Sequence, residues 1–351
     1  MKKNLIQIMC LLLISLFLAA CGSNADKTAT ASKGNASDGK GETVKIKLGT
    51  HNPEDHPATQ AAYDFAEKVK ERTDGRIEID LFPSSQLGDY TTVYEEVTRG
   101  TIEMSLSTMP SLLDSRLDIS FMPYLVENYS KLEESLGPDS YVFNKLKELN
   151  AEQNVEFLSF HVNGFGGVGT AKEVPNIAEI DQPKDLLIRT APSDIYKLPW
   201  EAIGFRTVTI PYADLYTSLQ TGAADGWAGG EPSLNYFGFR DVIKYFYTTN
   251  DFINADSLII NKNVFEGFSE EDQNTIKELA TELMYGSFKN AEENDNKYMK
   301  MMEDEGITVV RLSAEEISKL ANHVREVSWP KLESQMGADI IKELQEEYLN
   351  K

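Results

Sequence analysis

One stretch without helix breakers constrains the fold of this chain more than any other. Residues 269–305 contain no proline and a single glycine. Their apolar side chains recur with helical spacing, at Ile276, Leu279, Leu283 and Met284. This spacing predicts an amphipathic helix, roughly 50 Å long at 1.5 Å per residue. Because that length exceeds the width of one small domain, we expect the helix to extend along two domains.

The residues before this helix predict alternating strands and helices. Residues 44–48 and 76–82 alternate apolar and polar side chains, as half-buried strands do. Between them a helix begins near Pro57 and ends at Asp74-Gly75, where glycine supplies a left-handed cap. This βαβ unit predicts a parallel pair of strands. Further strands are predicted at 102–106, 155–160, 252–260 and 307–312, and further helices ending near Arg99, at 138–149, at 233–239 and as two closing helices around Trp329-Pro330.

A glycine-rich segment follows the strand predicted at 155–160. Residues 163–167 read Asn-Gly-Phe-Gly-Gly. The segment lacks the Gly-Lys-Ser/Thr ending of a phosphate-binding loop and the dinucleotide fingerprint. We therefore interpret it as a crossing point between two domains, where the backbone must bend.

The N-terminus is typical of a bacterial lipoprotein signal. Lys2 and Lys3 precede an apolar run that is too short to cross a bilayer comfortably. The run ends Leu-Ala-Ala-Cys21, which matches a lipobox and implies cleavage before Cys21 and lipid on its sulfur. The alternative is an ordinary signal peptide with a chance cysteine. Residues 1–20 are thus predicted to be the signal peptide and 21–43 a flexible tether, because the latter contains few apolar side chains.

Charge and cysteine content narrow the classes of partner. Cys10 lies in the predicted signal and Cys21 would be lipidated, so we expect no disulfide and no cysteine metal ligand in the mature fold. Removing residues 1–20 takes away two lysines and no acids, leaving 32 basic against 56 acidic residues and a formal charge of −24. Such a surface repels nucleic acid and anionic lipid headgroups. An anionic ligand would need a local positive charge.

Arg189 is the candidate for that charge. It follows the apolar run 186–188, so it should project from the carboxyl end of a strand. A guanidinium presents a planar pair of donors that matches a carboxylate with two parallel hydrogen bonds. We therefore predict that Arg189 holds the carboxylate of a small molecule. The alternative is a surface ion pair with one of the many acidic side chains.

Aromatic residues follow Arg189 at positions suited to a binding site. Tyr212 and Tyr216 are four residues apart, so on a helix they would share a face. Tyr212 is predicted to contact ligand, whereas Tyr216 serves packing or contact. Trp227 either stacks on an apolar face of the ligand or belongs to the core. Asp225 and the glycine after it are interpreted as shaping the turn into a strand.

Four more residues are predicted to reach the same site. His51 lies in the first βα loop, and Thr108 and Met109 follow the third predicted strand. In open α/β sheets such loops lie at the ligand-binding edge. Glu231 near the site would oppose an anion, and it is interpreted as reading hydroxyl groups or simply starting a helix.

The sequence favours neither a metal centre nor an enzyme. His51 and His56 lack an evident third ligand, so no metal site and no cofactor is predicted. The four histidines show no recognisable triad spacing, and no reactive cysteine is expected. No catalytic residue is therefore assigned.

The pattern as a whole resembles a known family. Residues 83–88, the step to Arg189 and the signature Leu-Tyr-x-x-Leu-Gln-Thr-Gly-x-x-Asp-Gly at 215–226 are similar to the extracytoplasmic solute-binding proteins of TRAP transporters. These transporters are tripartite, ATP-independent and periplasmic. The resemblance covers nearly all of residues 44–351. The combined signature is specific, although any single part of it is weak.

The resemblance implies an α/β, two-domain periplasmic-binding-protein-like fold with a cleft, crossing strands and a long helix along both domains. Domain I would comprise 44–163 plus 256–295, and domain II 164–255 plus 296–351. The resemblance further implies closure on an organic acid and delivery to the small and large membrane subunits of an ion-gradient-driven permease. It places the carboxylate-binding arginine at Arg189 and often a cleft aromatic at Tyr212.

Two departures from the family pattern bear on the ligand. Many members carry a second basic residue in the loop at 163–167, and many have Gln-Glu-Asn after the Asp-Gly step. Here the second segment reads Trp-Ala-Gly-Gly-Glu at 227–231. A second ligand carboxylate would lack an obvious partner, so we expect a monocarboxylate with bulk or hydroxyls, such as a sugar acid. A C4-dicarboxylate in the same role, or a membrane sensor as partner, are the alternatives.

Overall fold

The structure is a computed structural model that describes residues 43–126, 128–180 and 182–349. The predicted signal peptide, Cys21 and all but the last residue of the predicted tether lie outside these residues. Within the described ranges, no helix combines the length and apolarity needed to cross a membrane. In the same ranges, no group of His, Cys, Asp and Glu side chains is placed to hold a metal ion.

The first lobe contains a five-stranded sheet built on the predicted βαβ unit. β1 (Val44–Gly49), α1 (Pro57–Arg72) and β2 (Ile77–Phe82) form this unit, and its strands are parallel as predicted. The strand order is β2-β1-β3-β10-β4, and β10 runs antiparallel to both neighbours. The other elements of this lobe are α2 (Tyr90–Arg99), β3 (Met104–Ser107), 3-10 helices at Ser115–Phe121 and Tyr129–Lys131, α3 (Leu132–Leu136), α4 (Tyr141–Glu152), β4 (Val155–Phe165), and, later in the chain, β10 (Ile253–Asn261).

The second lobe contains a six-stranded sheet of order β11-β9-β5-β8-β6-β7. Its strands β6, β7 and β8 are parallel to one another, whereas β5 is antiparallel to β8 and β9. The elements of this lobe are β5 (Gly167–Thr170), β6 (Leu187–Thr190), α5 (Asp194–Ala202), β7 (Arg206–Thr209), a 3-10 helix at Tyr212–Asp214, α6 (Leu215–Thr221), β8 (Gly226–Gly230), α7 (Pro232–Phe239), β9 (Tyr245–Tyr247) and β11 (Thr308–Val310). Between β9 and β11 the chain returns to the first sheet as β10 and then forms α8 (Lys262–Glu266) and α9 (Glu270–Asp304).

The chain crosses between the sheets at the glycine-rich segment, as predicted. β4 ends in the first sheet at Phe165, and β5 begins in the second sheet two residues later. Gly164 has φ 148°, and a Cβ atom there would lie 2.0 Å from Oδ1 of Asp295. The other carboxylate oxygen of Asp295 accepts the Phe165 N–H at 2.9 Å and the Tyr129 hydroxyl. Only glycine leaves room for this contact between the crossing and the long helix.

The long helix α9 extends along both lobes. Its 35 residues begin after Ser269, whose hydroxyl accepts the N–H of Asp272. Near its start, Ile276 packs in the core beneath β1 and β10, and near its end Met302 packs in a core that contains Trp227. The predicted length and two-domain reach are therefore confirmed.

The C-terminal helices differ from the predicted break at Trp329-Pro330. α10 (Ala314–Met336) continues through Pro330, and α11 (Ala338–Leu344) begins after Gly337, with a π turn at Gln345–Leu349. The helix persists because Trp329 is fully buried and donates its indole N–H to the Pro123 carbonyl at 3.0 Å. Residues 329–344 contribute to the core around α2, α4 and β4 of the first lobe. The exact domain boundaries stay a prediction.

Candidate functional site

The carboxyl ends of parallel strands from both sheets meet at one cavity. In the first lobe, the loop after β1 carries His51 and the residue after β3 is Thr108. In the second lobe, β6 and β8 pair in register so that Arg189 lies opposite Trp227. The cavity encloses about 440 Å³, part of it open to solvent. It is lined by His51, Tyr90, Thr108, Phe121, Arg189, Ala191, Tyr196, Tyr212, Trp227, Ala228, Gly229, Leu234, Phe252 and Asn254.

Arg189 is a buried cation that faces this cavity. The residue is 3% exposed, and its Nε donates to the Ile210 carbonyl at 2.8 Å. Its Nη2 is buried without a hydrogen-bond partner. Burial lowers the pKa of Arg189, but a guanidinium stays charged in proteins. A buried charge is unfavourable unless it is paired, so this geometry favours binding of an anion, and the alternative of a surface ion pair does not apply.

Three tyrosines surround the guanidinium group. Tyr90, Tyr196 and Tyr212 all act on Arg189 electrostatically. Burial raises the pKa of each tyrosine, so each keeps its hydroxyl proton at neutral pH. The Tyr196 hydroxyl is buried without a partner. A carboxylate at Arg189 Nη2 would therefore meet neutral hydroxyl donors in addition to the guanidinium.

Tyr90 and Tyr196 were not predicted from the sequence, and a topological signal could have found them. Tyr90 is the first residue of α2, which follows β2, and Tyr196 lies in the first turns of α5, which follows β6. Both strands end at the ligand-binding edge of a parallel sheet. Side chains in the first turn of a helix that follows a parallel strand can therefore reach the site, as loop residues do.

His51 contributes an uncharged polar group from the first lobe. Its ring packs edge-to-face on Tyr212 of the second lobe, with ring centroids 5.4 Å apart, and on Tyr90 at 5.8 Å. Burial lowers the pKa of His51, so the imidazole is neutral at pH 7. Its Nδ1 atom is buried without a hydrogen-bond partner. A neutral imidazole can donate or accept one hydrogen bond there, depending on its tautomer.

Thr108 and Met109 lie where two cavities adjoin. Thr108 lines both, whereas Met109 lines only the neighbouring one of about 1030 Å³, also partly open to solvent. We call this second cavity the vestibule. It is lined by Asp89, Tyr90, Thr91, Thr108, Met109, Pro110, Ser111, Leu112, Asp118, Ala191, Pro192, Ser193, Tyr196, Pro211 and Tyr212.

Trp227 packs in the core and also lines the cavity, while its stacking on a ligand stays a prediction. It is 3% exposed, packs on Phe239 with ring centroids 4.7 Å apart, and donates its indole N–H to Asn235 at 3.0 Å. Part of its surface nevertheless lines the cavity. A Cβ atom on Gly230 would lie 2.1 Å from the indole ring, so the glycine allows this ring position.

The expectation that Tyr212 and Tyr216 share a helix face is wrong. Tyr212 lies in a 3-10 helix, and α6 starts only at Leu215. The tighter turn rotates the two side chains apart. Tyr212 lines the cavity, whereas Tyr216 is exposed and its hydroxyl donates to Asp241.

Glu231 does not line the cavity directly. Its fully buried carboxylate accepts from His56 Nε2 and from the Ser233 hydroxyl, both at 2.9 Å, and from the Asn254 amide. Burial opposes ionisation, but the hydrogen bond from His56 holds the pKa of Glu231 below its usual range. Glu231 also precedes Pro232 at the start of α7, as one of the interpretations proposed. It reaches the cavity only through Asn254, so a direct ligand contact stays a prediction.

The comparisons with known proteins agree with this fold. A family model described as bacterial extracellular solute-binding protein, family 7 (DctP) matches residues 48–335. Because the match covers more than half of the chain, the chain belongs to this family. The family consists of solute-binding proteins rather than enzymes, and the predicted family resemblance is confirmed.

Individual relatives are distant in sequence and close in fold. The chain is 27% identical over 293 residues to a 2,3-diketo-L-gulonate-binding periplasmic protein of Escherichia coli (strain K12), covering 82% of this chain and 87% of that protein. A TRAP periplasmic solute-binding protein from Desulfovibrio salexigens with bound orotic acid superposes with a TM-score of 0.78 at 24% identity, covering 87% and 98%. A sugar-acid-binding protein from Advenella mimigardefordensis in complex with galactonate gives 0.79 at 19%, covering 88% and 98%. These structures confirm the predicted two-lobed α/β fold class.

Proposed function

We propose that this protein captures a small organic acid between its two lobes and delivers it to a TRAP-type, ion-gradient-driven permease. The observation that carries the proposal is the Arg189 guanidinium, which is buried at the cavity with an unpartnered Nη2. Neutral tyrosine hydroxyls beside it would donate to the second face of a bound carboxylate. The solutes named for the relatives, 2,3-diketo-L-gulonate, galactonate and orotic acid, are all organic acids, which supports this ligand class.

The ligand is proposed to be a monocarboxylate, either a sugar acid or another bulky acid. Arg189 is the only lysine or arginine among the residues that line either cavity. Three acids lie close by, because Asp89 and Asp118 line the vestibule and Glu231 contacts the cavity residue Asn254. A second ligand carboxylate would be repelled by these groups and would meet no cation, which disfavours the alternative of a C4-dicarboxylate.

The contacts within the cavity are proposed to include six side chains besides Arg189. His51, Tyr212 and Trp227 line the Arg189 cavity, Thr108 lines both cavities, and Met109 lines the vestibule. Glu231 would act through Asn254, which it orients by a hydrogen bond. The predicted domains I and II would be the two parts that close on the ligand.

The proposed location is the outer face of the cytoplasmic membrane. Lipid on Cys21 and the tether of residues 21–43 would hold the binding domain there, within reach of the small and large permease subunits. A membrane sensor is the alternative partner. Neighbouring genes that encode a large permease with a small companion subunit would favour transport, and a neighbouring sensor gene would favour the alternative.

A thermal-shift screen of residues 22–351 against a panel of organic acids tests the ligand class. A ligand at 100 times its dissociation constant stabilises the folded state by about 2.7 kcal/mol. We expect at least one acid to raise the unfolding temperature of the native chain and to leave that of Arg189→Ala unchanged. An acid that stabilises both proteins equally would show that Arg189 does not hold the carboxylate.

A further inference from the structure

We propose that the ligand has a largely apolar body, which extends from Arg189 into the vestibule. This inference rests on the proposed capture of a monocarboxylate by Arg189. The proposed function left two ligand types open, a sugar acid and another bulky acid. The vestibule favours a branched aliphatic or aromatic monocarboxylate over a polyhydroxylated sugar acid.

The vestibule adjoins the Arg189 cavity. The two share five lining residues from both lobes: Tyr90, Thr108, Ala191, Tyr196 and Tyr212. A molecule whose carboxylate lies at Arg189 can therefore extend past the three tyrosines into the larger space. The vestibule is where the body of any ligand longer than the inner cavity must lie.

One part of the vestibule wall offers no side-chain hydrogen-bonding group to a ligand. Met109 and Leu112 contribute apolar side chains, and Leu112 is 68% exposed at the rim. Pro110, Pro192 and Pro211 come from three different segments of the chain. Proline has no backbone N–H, so these positions cannot donate to a hydroxyl or carbonyl of the ligand.

Four polar side chains of the vestibule, those of Asp89, Thr91, Asp118 and Ser193, already have partners. Asp89 caps α2 by accepting the N–H groups of Thr91 and Thr92, and it also accepts the Thr91 hydroxyl at 2.6 Å. Ser193 donates its hydroxyl to Asp118 at 2.6 Å and accepts from the Gln335 amide at 2.8 Å. A ligand oxygen that accepts from the Thr91 or Ser193 hydroxyl would have to break one of these hydrogen bonds, whereas the carboxylates of Asp89 and Asp118 can still accept from a ligand hydroxyl.

Three buried polar atoms around the inner cavity have no partner. They are Arg189 Nη2, the Tyr196 hydroxyl and His51 Nδ1. Together with the Tyr90 and Tyr212 hydroxyls, which also line this cavity, they can hold one carboxylate and a few further polar groups, such as keto or hydroxyl oxygens. A sugar acid carries a hydroxyl on most of its carbons, and every hydroxyl buried without a partner opposes binding. An apolar body instead gains free energy from the proline and methionine wall.

Titration calorimetry on residues 22–351 tests the inference with probes of similar size. The probes are phenylacetate and 4-methyl-2-oxopentanoate as acids with an apolar body, gluconate as a sugar acid, and succinate as a dicarboxylate. We expect the better apolar-bodied acid to bind at least 10-fold more tightly than gluconate or succinate. Gluconate binding that is as tight or tighter, and that is lost in Arg189→Lys, would overturn the inference and leave the proposed function intact. Binding of no acid, or binding that is unaffected by Arg189→Lys, would overturn both.

Two variants separate the polar and apolar parts of the site. Tyr196→Phe removes an unpartnered hydroxyl but keeps the ring packed between Phe121 and Phe252. It should weaken binding of every carboxylate probe by roughly 5- to 30-fold, and the exposed control Tyr285→Phe should change nothing. Leu112→Ser at the vestibule rim should weaken the apolar-bodied acids by 2- to 5-fold and leave gluconate unchanged. Equal effects of Leu112→Ser on both acid types, or none on either, would contradict an apolar body in the vestibule.

Discussion

Two buried charged side chains of this protein, Glu231 and Arg189, differ in how completely they are hydrogen-bonded. Glu231 is surrounded by hydrogen-bond donors from both lobes, including His56 Nε2 at 2.9 Å. Arg189 satisfies Nε on a backbone carbonyl and leaves Nη2 without a partner toward the cavity. A fully partnered buried charge is explained by structure alone, whereas an incompletely partnered charge that faces a cavity is a candidate for a functional role. The two residues should therefore respond differently to substitution.

Glu231→Gln should reduce stability because it disrupts a buried pair. The new side-chain amide leaves at least one buried donor without an acceptor, which costs about 1–3 kcal/mol. We expect the urea unfolding midpoint to fall accordingly. Glu278→Gln is the matched control, because its partner Arg72 and Glu278 itself are largely exposed, and exposed pairs contribute about 0–1 kcal/mol. Equal losses in the two variants would mean that the His56–Glu231 pair does not stabilise the fold.

The sequence located some site residues better than others. Arg189 was found because an arginine after an apolar run has few structural reasons to be there, and His51 and Thr108 because loops after parallel strands converge. The role of Glu231 stayed open, since its proximity to His56 depends on two positions 175 residues apart in sequence being brought together by the two lobes. Pairing across such a distance leaves no local pattern in the chain.

At the scale of elements, the crossing between β4 and β5 depends on its contact with α9. Gly164→Ala would place a methyl group 2.0 Å from Asp295 Oδ1 in a left-handed region of backbone, φ 148°. The substitution combines a steric clash with backbone strain, and we expect a loss of about 3 kcal/mol or more in the free energy of unfolding. Denaturant unfolding followed by circular dichroism measures this loss.

A double-mutant cycle separates the clash from the strain. Asp295→Ala removes the carboxylate that the new methyl group would meet, so Gly164→Ala should cost less in that background than in the native chain. The remaining loss reflects the positive φ alone. Additive effects would show that the contact between Gly164 and Asp295 does not constrain the crossing.

Element types followed from the sequence, whereas some boundaries depended on packing. The long helix and the βαβ unit were evident from periodicity over many residues. Pro330 was expected to interrupt a helix, but the burial of Trp329 holds α10 together across it. Tyr212 was expected in a helix, but it occupies a short 3-10 turn. Local propensity is a weak guide where burial of a large side chain decides the conformation.

At the scale of the whole molecule, Asp118 joins the two lobes to the C-terminal helix. It lies in the first lobe and accepts hydrogen bonds from Ser193 of the second lobe at 2.6 Å and from Gln335 of α10 at 3.2 Å. Burial raises the pKa of Asp118 to about 6. The folded chain therefore holds this proton more strongly than the unfolded chain does.

Stability should depend on pH through this group. The contribution of protonated Asp118 is full below about pH 4 and is lost as the pH rises to about 6, because the folded-state pKa exceeds the unfolded one. Asp118→Asn removes that dependence. We expect the unfolding temperature of the variant, relative to the native chain, to increase between pH 4.5 and pH 7. The exposed control Asp139→Asn should show no such trend, and a flat difference for Asp118→Asn would contradict the raised pKa.

The two-lobed architecture was predictable because the family signature covers most of the chain, but the division of polar and apolar surface in the cleft was not. The vestibule arises from three proline-containing segments that are distant in sequence. The Ser193 hydroxyl, which lines the vestibule, accepts from Gln335 only after α10 packs beside it. The ligand preference proposed for the vestibule therefore depends on the fold of the whole chain.

Titration calorimetry of Arg189→Lys with the tightest acid from the panel tests the central claim most directly. Lysine keeps the positive charge but loses the paired donors of the guanidinium. We predict that the dissociation constant rises by about 10- to 100-fold, as expected for the loss of a charge-assisted hydrogen bond. The control Arg240→Lys, on an exposed arginine that donates to the Tyr236 carbonyl, should bind as the native chain does. An unchanged dissociation constant for Arg189→Lys would contradict the assignment of Arg189 as the group that holds the ligand carboxylate.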